Sequence, residues 1–149
     1  MLDQLEVVYV EKIDRTPNLR LYTQIGLRVP AYCSSLGKCL LAGLSGYELD
    51  YLLSQHKLER FTANTITSVS ALKQHLQQVR EQGWAIDDQE YILGNRCIAS
   101  PIYDYRGDII SAVSASGPAE ILTDERISTV AKKVKQTAGL ISRELCYTS

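Results

Sequence analysis

Three short stretches of this chain carry side chains that can do chemistry. In Tyr32-Cys-Ser-Ser-Leu-Gly-Lys-Cys39, small polar residues sit where a loop turns into a helix. The first N–H groups of a helix have no internal acceptor, and the helix dipole adds positive potential there. Such an end accepts a carboxylate or phosphate, and the amides of Ser35 and Leu36 are the best placed to do so. The plainer reading of the same residues is an N-cap serine. Ser114-Ala-Ser116 puts two hydroxyls on one face of a strand, in line with Ile110 and Ala112. Facing solvent they do nothing. Facing the helices they need partners, and a polar ligand supplies them.

The third stretch runs from Gly83 to Asp104, with acidic residues at Asp87, Asp88 and Glu90, then Arg96 and Cys97 opening an apolar strand. Asp87 directly follows the short strand Trp84–Ile86, so its carboxylate is expected to be held rather than solvated. Asp88 and Glu90 read as a solvated loop, and Lys38 as a solvated lysine on a first helical turn. Arg96 and Arg106 flank the strand and are expected to neutralise Asp87, Asp88 or Asp104. A Cys97 nucleophile would need a nearby base. Only His56 and His75 are available, both on expected polar helix faces, which argues against a Cys/His enzyme. The default reading of Cys97 is a small buried side chain. No His, Cys or carboxylate spacing matches structural zinc, and no metal or cofactor is expected.

The elements that must position these residues follow from pattern. Val7–Ile13 reads as a strand, Asp14–Asn18 as a turn, and Leu19–Ile25, which alternates apolar and polar, as the half-buried partner of the first strand. Gly26 and Pro30 mark a loop. Ser34 or Ser35 caps a helix through Leu44. Ser45 with Glu48 forms a capping box for a second. A third starts near Ser68 or Ser70, carries Leu72, Leu76 and Val79, and stops at Gly83. Cys97–Tyr103 and Asp108–Ser116 form a hairpin across 104–107, broken after by Gly117-Pro118. The last helix, capped by Thr123 or Asp124, keeps Ile127, Val130, Ala131, Val134, Ala138, Ile141 and Leu145 on one face. Strands, a block of helices, more strands and a final helix argue for an α+β fold with an antiparallel sheet.

The chain has 149 residues, 45% hydrophobic and 22% charged, with 16 basic and 17 acidic side chains. That suits one soluble domain. The near-neutral balance leaves no basic footprint for nucleic acid, so any DNA contact would lie outside this chain. The four cysteines form no C-x-x-C pair, and no apolar run is long enough to cross a membrane. A reducing cytoplasm is the simplest compartment. The abrupt entry into Val7-Val8-Tyr9-Val10 suggests a piece of a longer protein.

The stretch Gly83–Asp104 resembles IclR-type bacterial transcriptional regulators: Gly, three residues, Asp, two residues, Glu, six residues, Cys-Ile-Ala, two residues, Ile-Tyr-Asp. Every specified position is filled. The resemblance extends to Gly26, Pro30 and Gly37-Lys38, to Thr65-Ile-Thr67, to Val79–Gly83 and to Ser114–Pro118, with its best match in the ketodeoxygluconate-regulator branch. It implies residues 1–149 as an effector-binding domain, without the N-terminal winged helix-turn-helix, and a GAF/PAS-like curved antiparallel sheet flanked by helices. It also implies dimers or tetramers, with DNA bound only through the absent domain. By that resemblance a small carboxylate, a sugar acid or keto acid, is held by the amides of Ser35 and Leu36, by Asp87 and Cys97, and by Ser114 and Ser116, between walls at Leu21 and Val29. Asn95 departs from the apolar residue often found there and would suit a hydroxyl-bearing ligand. The rival expectation is an oligomerisation module with no small-molecule effector.

Overall fold

The structure, a computed structural model, describes residues 1–14 and 24–148. The wall residue Leu21 and positions 19–23 of the expected strand Leu19–Ile25 lie outside them. The rest is α+β, with every strand pair antiparallel. Two three-stranded sheets are present among the described residues. The first joins β1 (Leu2–Asp3), β2 (Glu6–Val8) and β3 (Arg28–Pro30) in that order. The expected strand Val7–Ile13 is therefore shorter and begins one residue earlier, and Ile13 is fully out in solvent. The expected loop through Pro30 is in fact strand β3: Val29 faces Val7 in register, and both are buried. Pro30 is tolerated because β3 is an edge strand of this sheet.

Three helices follow. A 3-10 turn over Ala31–Cys33 runs into α1 (Ser35–Ala42), which is capped by Ser34, whose Oγ accepts the Gly37 N–H at 3.2 Å. All eight residues of α1 are buried. It lies between α3 on one side and the second sheet on the other, so it has no solvent face and needs no polar stripe. Gly37 permits this packing: a Cβ there would stand 2.2 Å from the Ala31 carbonyl oxygen. α2 (Gly46–Ser54) starts with the full Ser45/Glu48 capping box. α3 (Val69–Gln82) is capped by Ser68 and closed by Gly83 at φ +77°, as the spacing predicts, with Leu72, Leu76 and Val79 in the core.

The second sheet orders β4 (Ala85–Asp88), β5 (Asn95–Tyr103) and β6 (Ile109–Pro118). Asp87 lies within β4 rather than after it. Gly117-Pro118 does not break β6: Gly117 pairs with Arg96 and Pro118 with Asn95. Proline survives because β6 is the outer strand of this sheet and its missing N–H costs no ladder bond. A register shift at Ile102/Tyr103 leaves Ile110 outside the regular pairing, and it is exposed rather than aligned with the half-buried Ser114 and Ser116. The helix α4 (Asp124–Glu144) packs on β5 and β6. It buries Ala131, Val134, Ala138 and Ser142, whereas Ile141 and Leu145 from the expected stripe are exposed. Ser142 takes their place because its hydroxyl accepts the Tyr103 N–H at 3.0 Å and donates to Ala138 at 2.8 Å.

Candidate functional site

The register of the second sheet brings the chemistry-bearing residues into one row. Asp87 is directly opposite Cys97, and Cys97 directly opposite Ser116. Opposed residues share a face, so the carboxyl, thiol and hydroxyl stand side by side across three strands. One row further along, Ala85, Ala99 and Ser114 line up. The small alanines leave room for α1, whose first residue, Ser35, meets this face. The opposite face belongs to α4: there Arg96 binds Asp88 at 2.7 Å and Asp124 at 2.8 Å. Arg96 therefore neutralises Asp88 and not Asp87, and Arg106 pairs with Asp104 and Asp108 at 3.1 Å each.

The hydroxyls of Ser35, Ser114 and Ser116 surround the Cys97 thiol. They would favour its thiolate, but burial outweighs them and holds the thiol well above its ordinary range. Cys97 is therefore a protonated side chain at neutral pH, not an activated nucleophile. Ser35 is wholly buried beside the thiol, and its Oγ makes no hydrogen bond among the described residues. The amides of Ser35 and Leu36 open α1, where no intrahelical acceptor exists. Asn95 donates from Nδ2 to Ser116 Oγ at 3.3 Å. Val29 is buried in β3 as part of the core.

Asp87 is buried, and its Oδ1 accepts the Glu90 N–H at 2.8 Å. Burial raises its pKa to about 7, against a pull downward from that hydrogen bond; the negative charge of Glu90 adds to the rise and Lys38 opposes it. The carboxyl is thus poised between donor and acceptor at neutral pH.

Several residues at this site differ from the sequence reading. Glu90 is buried rather than solvated, and Lys38 is wholly buried, donating to the Ile86 carbonyl at 2.8 Å and pairing with Glu90. The signal was present: Lys38 is the one charge in Ser35–Ala42, a run with no polar face, so the helix that carries it must bury it. Thr62 and Thr65 donate to the Glu90 carbonyl at 3.2 and 2.6 Å. His75 is not on a polar face: its Nε2 is buried without a partner, and burial, with Lys38 nearby, lowers its pKa to about 4. His56 lies past the end of α2. Tyr9 was not foreseen at all. Its phenol is pushed up first by burial and then by Cys97 and Asp87, which it faces. No group of three or more metal-binding side chains converges among the described residues, and no helix among them is long and apolar enough to cross a membrane.

The fold and the sequence both have relatives. The transcriptional regulator KdgR of Escherichia coli K12 is 40% identical over 146 residues, covering 98% of this chain and 56% of that protein. The repressor AllR of the same strain is 36% identical over 140 residues, covering 94% and 52%. The chain thus spans about half the length of these regulators, which are named for transcription and not for catalysis. The solved IclR of Thermotoga maritima superposes with a TM-score of 0.91 at 34% identity, over 98% of this chain and 59% of that one. The C-terminal domain of E. coli KdgR gives 0.87 at 37% identity, over 98% and 84%. Residues 1–143 match the family model for the C-terminal part of the bacterial transcriptional regulator IclR. The chain therefore belongs to the IclR family and is an α+β, GAF/PAS-like C-terminal domain of it.

Proposed function

We propose that residues 1–149 are the ligand-sensing domain of a DNA-binding transcriptional regulator, and that the effector is a small carboxylate, a sugar acid or keto acid. DNA would be bound through an N-terminal domain outside this chain, and the regulator would work as a dimer or tetramer. The observation that carries the reading is the unpartnered, wholly buried Ser35 Oγ beside the Asp87–Cys97–Ser116 row. A buried hydroxyl without a partner costs about 1–3 kcal/mol, and a ligand oxygen removes that cost. The ligand carboxylate would lie on the Ser35 and Leu36 amides. Ser114, Ser116 and Asp87 would take its keto or hydroxyl oxygens, with Asn95 extending the polar wall. Val29 and Leu21 would supply the apolar walls. A double mutant of the inducer-binding domain of the transcription factor PobR from Acinetobacter, 27% identical with a TM-score of 0.85, is solved in complex with 3-hydroxybenzoic acid, itself a carboxylate.

Ligand binding would bias the arrangement of subunits or domains, by no more than its differential affinity for the two states. Calorimetric titration of the chain with pyruvate, gluconate and galacturonate tests the reading. At least one acid should bind, and replacing Ser114 and Ser116 with alanine should weaken it by about tenfold or more while leaving the oligomer intact. Binding by none of the acids or by any other anionic metabolite, or binding indifferent to both serines, would leave the oligomerisation module as the better reading. The exposed Leu140 and Ile141 of α4, with Leu145 at its C-cap, favour that second reading.

A further inference from the structure

The buried ion pair behind Asp87 is poorly explained as a stability device. Lys38 Nζ reaches only the Ile86 carbonyl and one Glu90 oxygen, and the other, Glu90 Oε2, is buried with no partner. Burial pushes the Glu90 pKa upward, and Lys38 only opposes that shift. Two apolar side chains of similar volume would commonly be as stable there, or more so. What the pair does have is connectivity. Lys38 lies one helical turn above the start of α1, and its N–H binds the Ser34 carbonyl at 3.0 Å. Its ammonium grips the carbonyl one residue before Asp87 and the carboxylate three residues after it. Glu90 in turn gives its N–H to Asp87 Oδ1 at 2.8 Å, and Thr62 and Thr65 hold its carbonyl. A closed circuit of bonds thus runs from the first turn of α1 through Lys38 and Glu90 to Asp87.

We infer that Lys38 and Glu90 are positioning residues of the effector site, locking the α1 amides and the Asp87 carboxyl into one rigid frame. The inference rests on the effector reading for its purpose but not for its test. The paired substitution Lys38→Met with Glu90→Met removes both charges and keeps the volume. The readout is amide hydrogen exchange at positions 37, 38 and 90, whose N–H groups are bonded to Ser34 and Asp87, taken as a ratio to exchange at Leu72, Leu76 and Val79 in α3, alongside the thermal midpoint. The pair variant should keep or exceed the wild-type midpoint, yet the ratio should rise by about tenfold or more, because the two walls now open independently of the core. An unchanged ratio at an unchanged midpoint would overturn the inference and make the pair merely structural. Should the pair variant fail to fold, Glu90→Gln gives the same comparison in a milder form. A rise of about threefold or more is then expected, and an unchanged ratio refutes. Titration of both proteins with pyruvate and gluconate adds the functional arm, with affinity falling by about tenfold despite retained stability. If neither acid binds the wild type, the effector reading falls alone, and the exchange ratio still decides what the pair does.

Discussion

Replacing Asp87 with asparagine should stabilise this domain, and the gain should depend on pH in a calculable way. The folded-state pKa of Asp87 is about 7, against an ordinary value of 3.8, mainly because the carboxyl is buried. A folded-state pKa above the unfolded one means that the native state holds the proton more tightly. Its contribution is then most favourable below pH 3.8 and is lost as pH rises toward 7. Worked through both ionisation equilibria, the cost of Asp87 is about 1.7 kcal/mol at pH 5 and about 4 kcal/mol at pH 8. Asparagine is never charged, and its Oδ1 can still accept the Glu90 N–H. Relaxation and water entry will trim the values, so a gain of about 2–4 kcal/mol at pH 8 and about half that at pH 5 is expected. Urea unfolding of both proteins at fixed concentration, from pH 5 to pH 8, measures the difference. A difference that stays flat with pH, or an asparagine variant less stable at pH 8, would refute the assignment of a strained buried carboxyl.

If a carboxylate effector binds beside Asp87, it should raise the Asp87 pKa further and bring a proton with it. Calorimetry in two buffers of different ionisation enthalpy should show uptake of up to about one proton, growing from pH 6 to pH 8; no uptake would separate Asp87 from the ligand. Gly37→Ala would drive a Cβ to 2.2 Å from the Ala31 carbonyl oxygen, where neither backbone can yield cheaply, so a loss of about 3 kcal/mol or more, or failure to fold, is expected on denaturation. Ser142→Ala strands the Tyr103 N–H and should cost about 1–2 kcal/mol in urea unfolding. Iodoacetamide at neutral pH should label exposed Cys146 long before Cys33, Cys39 or Cys97, all buried; mass mapping that finds Cys97 first would revive a reactive-thiol reading.

Local signals in the sequence fared best where the deciding physics is local. The Ser45/Glu48 box, the Ser68 cap and the Gly83 stop each depend on residues within one turn, and each is present. The long strands of the second sheet were legible because their apolar content is continuous, but their ends were not. Gly117-Pro118 reads as a break until one sees that β6 lies at the edge. The side-chain chemistry of Ser35, Asp87, Cys97, Ser114 and Ser116 is legible stretch by stretch, but their convergence depends on register, which no single strand reveals: Asp87, Cys97 and Ser116 meet only because two pairings align. Tyr9, Thr62 and Thr65 were missed because each reaches the site from a distant element. A charged residue is usually exposed, a rule that fails for Lys38 because α1 has no exposed side and for Glu90 because it pairs with that buried lysine.

The charge arrangement also narrows what the site can hold under the proposed reading. Lys38 is already committed to Glu90 and the Ile86 carbonyl, so no free cation among these residues faces the Asp87–Cys97–Ser116 row. Anion binding there would rest on helix amides and neutral hydroxyls, whose joint pull is far weaker than a bidentate arginine clamp. A dianion would leave charge without a partner in a buried space, and that costs several kcal/mol. A monoanion with a keto or hydroxyl oxygen fits: its one charge meets the Ser35 and Leu36 amides, and its neutral oxygens meet Ser114, Ser116 and a protonated Asp87. Oxaloacetate should therefore bind at least about tenfold more weakly than pyruvate in the same titration. Equal or tighter binding of the dianion would mean that a cation reaches the pocket from elsewhere in the protein, and that the amide cradle is not what sets the charge of the effector.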